Sequence, residues 1–233
     1  MTARASLPRI ARWTGAAYLG VVCCGIFAEF FVRQSLVVPG DALATATAIA
    51  ESSGTFALGI GADLLMIVLD VGVAFGLYRL LSPVHRPLAI AATAFRLLQS
   101  SILTVNLLNL TEALSLASDP ALASQALAAV ETHGLFYDVG LIPFGLACLT
   151  LGPLLRRAGG PRWIALALSA TGLVYLVGSF GAVFAPAVSA ALDPFYALAI
   201  VAEPAVAIWL IARAGRWAQV PARATHGSLA PAC

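Results

Sequence analysis

The sequence predicts an all-α protein, a polytopic transmembrane bundle of six helices with both termini cytoplasmic. Three observations carry that expectation. Of 233 residues, 61% are hydrophobic and 10% charged, and the mean hydropathy is +0.93, whereas a soluble domain sits near half apolar and a quarter charged. Six stretches reach the roughly 20 mainly apolar residues that a bilayer crossing needs. Eleven of the 13 arginines gather in the connections of one side. With 13 cations, all arginine, and 11 acids, no water-facing surface can be built around so much leucine, valine and alanine. A soluble enzyme, a disordered chain and a nucleic-acid binder are excluded, and the length suits one domain.

The predicted spans are Trp13–Val32, Phe56–Tyr78, Leu88–Leu110, Leu135–Leu155, Trp163–Phe184 and Phe195–Ala212. None shows the period-two alternation of a barrel strand, and backbone groups in lipid must be satisfied internally, so each reads as a helix. Arg4, Arg9 and Arg12 precede the first span; Arg79 and Arg86 follow the second. Arg156, Arg157 and Arg162 lie between the fourth and fifth, and Arg213, Arg216 and Arg223 after the sixth. The opposite connections hold Arg33 beside Asp41, Glu51, Asp119, Glu131 and Asp193. The positive-inside rule then places the chain in a plasma or inner membrane with residues 1–12 as a cytoplasmic segment, 13–215 as the transmembrane domain and 216–233 as a flexible cytoplasmic tail.

The first span is expected to be retained, because Ile26-Phe27-Ala28-Glu29-Phe30-Phe31 lacks the small residues of a signal cleavage site. In the outer connections Asp41 can cap a short helix through Ser52, and Asp119-Pro120 can open another over Ala121–Val130. The cysteines Cys23, Cys24, Cys148 and Cys233 have no metal or redox spacing and read as small apolar residues. No metal and no cofactor is implied. Gly72-x-x-x-Gly76 and Gly178-x-x-x-Ala182 read as close helix packing, and Trp13, Trp163, Trp209 and Trp217 mostly as interfacial anchors. Pro143 and Pro204 can bend their helices.

A faint internal repeat pairs Thr14-Gly15-x-x-Tyr18-Leu19 with Thr171-Gly172-x-x-Tyr175-Leu176. The following helices pair Phe56-Ala57-Leu58-x-Ile60-x-Ala62-Asp63 with Tyr196-Ala197-Leu198-x-Ile200-x-Ala202-Glu203. It would make Asp63 and Glu203 equivalent acids.

Charged groups at the centre of a bilayer cost roughly 2.5–3.5 kcal/mol each on insertion scales, so they face the interior of a bundle. At about 1.5 Å of rise per residue, Asp63 lies roughly 10 Å and Asp70 roughly 20 Å below the outer boundary. Arg96 falls at the level of Asp70, and the two are expected to form a structural ion pair. Asn106 and Asp138 fall near the level of Asp63, Glu203 between the two levels, and Glu29 and His133 near the outer rim. Asp63, Glu203 and Asp138 are the candidate catalytic acids. Glu29, Asn106, His133 and Tyr137 are the candidate ligand-binding residues, with Arg33 beside them. Carboxylates converging with few cations cannot all stay ionised in a low dielectric, which predicts a polar cavity in the outer half of the bundle.

Several polar residues set in apolar helices carry a resemblance. Ala28-Glu29-Phe30-Phe31-Val32-Arg33, Val38-Pro39-Gly40-Asp41-Ala42, Ala62-Asp63-Leu64-Leu65-Met66 with Asp70, Phe95-Arg96 through Asn106-Leu107-Leu108, and His133-Gly134 through Phe144-Gly145-Leu146 resemble an uncharacterised bacterial multi-pass family, a domain of unknown function. Leu151-Gly152, Arg162 and the Glu203 helix complete the likeness over about residues 8–215. Pro186 and Pro204 are local departures. The resemblance implies a compact bundle of about six helices and brings no activity with it.

The functional expectation is an outward-facing acidic pocket for a small or amphipathic ligand, with the lipid bilayer as partner, no nucleic acid, and the oligomeric state open. A second expectation is a membrane enzyme in which a carboxylic acid protonates a lipid-like substrate, as in isoprenoid or terpene cyclisation, with Phe27, Tyr18, Tyr137, Phe144 and Tyr175 to shield a carbocation. That analogy is one of architecture. A third is a proton- or cation-coupled transporter using the same acids.

Overall fold

The computed structural model describes residues 6–219. Among these residues there is no strand, and six helices are long and apolar enough to cross a membrane. α1 spans Leu7–Leu36. It is α-helical to Ile26, widens into a π-helix over Phe27–Arg33, and closes with one α-helical turn, Gln34–Leu36. The predicted first span stops at Val32, so the rod runs four residues further. The extension carries Arg33, which the sequence places in a loop, into the bundle.

A turn at Gly40, with φ of +76°, reverses the chain where a Cβ would be strained. Asp41 then caps α2 (Ala42–Glu51) by accepting from the Ala44 N–H at 2.9 Å. α3 is Ser53–Leu81 and α4 is Arg86–Leu116, the latter capped by His85. Asp119 accepts from the Ala121 N–H at 2.9 Å and opens a 3-10 turn, Pro120–Leu122, that runs into α5 (Ala123–Arg157). The separate outer helix expected over Ala121–Val130 is therefore the first part of α5. Gly134 does not break it, because the i to i−4 ladder passes through glycine at a cost of only about 1 kcal/mol.

α6 is Arg162–Phe184. Ala185, with φ −152° and ψ 72°, breaks the chain because a residue before proline is driven out of the helical region. Pro186 starts the short α7 (Pro186–Leu192), and a 3-10 turn (Asp193–Tyr196) leads into α8 (Ala197–Ala212). Another 3-10 turn, Ala214–Gln219, carries Trp217 back against Trp209, edge-on with ring centroids 5.8 Å apart. Both indoles are buried, while Trp13 and Trp163 are exposed. Trp209 and Trp217 therefore pack the bundle rather than anchor it at an interface. The reading of 216–233 as a tail falls, from residue 220 on, outside the described residues, as do Arg223 and Cys233, and at the other end Arg4.

The long helices form a closed ring: α1 against α3, α3 against α4, α4 against α5, α5 against α6, α6 against α8, and α8 back against α1. Short connections make sequence neighbours antiparallel. Glycines set a tight seam between α5 and α6. A Cβ on Gly145 of α5 would lie 2.8 Å from the Gly172 carbonyl of α6, and one on Gly172 would lie 2.7 Å from the Gly145 carbonyl. Gly76 packs on Thr14, and Gly178 on Tyr196, as close-packing positions should. Gly72 faces open space and packs against nothing, contrary to expectation.

Apolar side chains such as Phe31, Leu64, Val68, Phe75, Val105 and Ile208 point outward, while Asp63, Asp70, Arg96, Asn106, His133 and Glu203 are buried. That distribution is opposite to a soluble domain's and suits a lipid environment. Inside the ring lie two large apolar cores. One fills the arginine-bearing end with Leu77, Leu80, Leu154, Leu168 and Leu210. The other joins Ile49 of α2 to Val32, Phe56, Leu110 and Ala126 at the opposite end. The buried polar side chains lie between them.

Candidate functional site

The polar interior consists of two clusters, each tied across different helices. In the first, Arg96 of α4 is 1% exposed and donates through Nη2 to Asp70 of α3. Ser100, one turn beyond Arg96, donates to the other Asp70 oxygen at 3.0 Å. The guanidinium lies between the rings of Tyr18 and Phe144, at 4.8 and 5.0 Å from their centroids, and its Nη1 donates to the Tyr18 hydroxyl at 3.4 Å. Two aromatic faces and a carboxylate thus replace the water that the cation has lost. Glu203 of α8 belongs here too: Tyr175 of α6 donates to its Oε1 at 2.9 Å. Asp70, Gln99, Ser100, Tyr175 and Glu203 line an inner cavity of about 100 Å³, enough for a few waters.

The second cluster lies toward the α2 end. Arg33, on the last π turn of α1, donates through Nε to Glu29 at 2.8 Å and through Nη1 to Asp63 of α3. Gln34 donates to the second Glu29 oxygen at 3.3 Å. Glu29 is partly open to the outside, while Arg33 and Asp63 are buried. Beside them, Asn106 Nδ2 of α4 donates to the His133 carbonyl of α5 at 2.9 Å, and His133 Nδ1 lies 3.4 Å from the Asn106 carbonyl oxygen. This reciprocal tie fastens α4 to α5.

Glu29, Arg33, Gln34, His133, Tyr137 and Asp138 are among the residues lining an open hollow of about 670 Å³ at the α2 end, the outer hollow in the sense of lying nearer the bundle's end than the inner cavity. Apolar wall comes from residues such as Val37, Pro39, Val130 and Leu141, and the ring of Tyr196 closes the α8 side. Tyr137 and Leu141 line the inner cavity as well and separate the two spaces.

The three candidate acids do not share one hollow. Asp63 is taken by Arg33, Glu203 faces the inner cavity, and Asp138 stands in the wall of the outer hollow. Arg33 turns inward and takes Asp63 and Glu29, while Glu203 and Asp138 project from α8 and α5 toward different spaces. Asn106 is not among the lining residues of either space and is tied to the backbone of His133. Glu29, His133 and Tyr137 do line the outer hollow, and Asp70 and Arg96 are paired. The sequence reading missed Gln34, Gly134 and Tyr196 as lining residues, and Ser100 as a partner of Asp70. Ser100 was legible as a residue four after Arg96, on the same helix face. Tyr196 was not, because a 3-10 turn aims it.

Among the described residues no three of His, Cys, Asp and Glu are grouped to hold a metal ion, and Cys23, Cys24 and Cys148 are free thiols.

A ring of six apolar helices enclosing buried, paired charges defines a polytopic helical membrane protein. The chain belongs to the family described as Domain of unknown function (DUF4386), whose match covers residues 13–214. No curated protein and no solved structure matches it.

Proposed function

We propose that this membrane protein holds a small or amphipathic ligand in the outer hollow. The observation that carries the reading is the space itself. About 670 Å³ lies between α1 with the turn after it, α5 and Tyr196 of the 3-10 turn before α8, within the roughly 300–1,000 Å³ of small-molecule sites, and it combines apolar walls with a few converging polar groups. The arginine distribution supports both termini in the cytoplasm of a plasma or inner membrane, with the hollow on the outer side.

The other two readings draw less support. Glu203, the acid best placed among aromatic rings, faces a cavity of about 100 Å³, which has no room for an isoprenoid chain. For transport, a path from the hollow toward the arginine-bearing end meets the apolar core around Leu80 and Leu154.

Gly134 gives the test. It lines the hollow, and a Cβ there would meet nothing within 4 Å. Gly134→Leu therefore projects a side chain into the space from a position where its Cβ meets no neighbour. Small molecules co-purifying with the wild-type protein in mild detergent, identified by mass spectrometry, should be missing from the Gly134→Leu protein. Identical extracts from both proteins would refute the reading.

A further inference from the structure

Resting on the reading of the outer hollow as a ligand site, we propose that the ligand is an organic ammonium ion with N–H donors. The sources of that chemistry are a free amphipathic amine or the headgroup of an aminolipid. The charges come first. Arg33 is the cation of the lining, and its Nε and Nη1 are already given to Glu29 and Asp63. Against it stand Glu29 and Asp138 in the wall and Asp63 directly behind Arg33, with Asp193 acting electrostatically on Asp138. An anion entering this space would meet surplus negative charge and no uncommitted cation.

His133 supplies an independent observation. Its side chain lines the hollow and the residue is 4% exposed. The backbone carbonyl of Asn106, 3.4 Å from Nδ1, can only accept, so Nδ1 carries the proton and Nε2 presents a lone pair. That Nε2 has no hydrogen-bond partner, and neither has Asp63 Oδ1. Both of these buried atoms, on either side of Arg33, are acceptors. An ammonium group brings up to three donors together with the positive charge that the surplus of carboxylates calls for. The rings of Tyr137 and Tyr196 offer faces to that cation, and Val37, Pro39, Val130 and Leu141 fit its hydrocarbon part.

The test uses the full-length protein in nanodiscs of phosphatidylcholine and phosphatidylglycerol, neither of which carries an ammonium N–H. The probes are hexylammonium, hexyltrimethylammonium, hexanoate and hexanol, with binding read by saturation-transfer NMR and melting temperature. Hexylammonium should bind saturably. Its affinity should fall about tenfold in Asp138→Asn and in Glu29→Gln, the scale of one charge-assisted hydrogen bond, and binding should vanish in Gly134→Leu. Hexyltrimethylammonium, which has the charge and no N–H, should bind at least about tenfold more weakly, a comparison that needs no variant.

Equal binding of the quaternary ion, or preferential binding of hexanoate or hexanol that Gly134→Leu abolishes, would overturn the ammonium inference and leave the hollow a ligand site. The absence of any probe binding sensitive to Gly134→Leu would overturn both. Replacing phosphatidylcholine by phosphatidylethanolamine separates the sources. Competition with hexylammonium assigns the site to a lipid headgroup, and an unchanged affinity assigns it to a free amine.

Discussion

Arg33 of α1 donates to Asp63 of α3, 30 residues further along the chain. The guanidinium also holds Glu29, so one cation joins the π-helical end of α1 to the middle of the bundle. π turns are frequent at functional sites, and this one lies against the hollow.

Removing Arg33 alone should therefore be worse than removing the pair. Arg33→Met leaves Asp63 buried with no cation, at a cost of about 3–5 kcal/mol. Arg33→Met combined with Asp63→Leu should recover most of that loss. Thermal melting of the single and double variants in one detergent decides it. A double variant no more stable than Arg33→Met would show that Asp63 does not depend on the guanidinium.

The inner pair should behave in the same way but tolerate less. Arg96→Lys keeps the charge and gives up the planar group stacked between Tyr18 and Phe144, so it should not rescue stability. Asp70→Asn should lower folded yield and melting temperature, and Ser100→Ala should cost about 1 kcal/mol. Unchanged melting of Asp70→Asn would count against the pair as a structural element.

Glycine substitutions should divide by location. Gly145→Ala and Gly172→Ala push a methyl against a facing backbone carbonyl, which should cost about 1–3 kcal/mol. Gly72→Ala and Gly134→Leu point into open space and should be neutral or stabilising by up to about 1 kcal/mol through helix propensity. Melting temperatures of the four variants check the division.

Sidedness can be measured directly. With the four native cysteines replaced by alanine, Ser118→Cys should react with a membrane-impermeant maleimide in intact cells, and Pro83→Cys only after lysis. The reverse pattern would invert the topology and turn the hollow toward the cytoplasm.

The amino-acid sequence by itself determined the fold class, the number of membrane-length helices, the Asp41 and Asp119 caps, and the chance for Asp70 and Arg96 to meet. These are local or one-dimensional properties: apolar length, cap chemistry, and the height of a residue along a helix of known rise. Which residues meet across the ring was decided by tertiary structure. Height does not fix azimuth, so Asp63, Asp138 and Glu203, expected together, turn toward Arg33, the outer hollow and Tyr175 respectively. Closure of α8 on α1 brings the Glu203 helix to the first span, and no local pattern encodes that contact. Arg33 shows the difference most plainly. Its charge and its spacing from Glu29 were legible, but its inward course depends on four further helical residues and on a carboxylate that only the folded bundle presents.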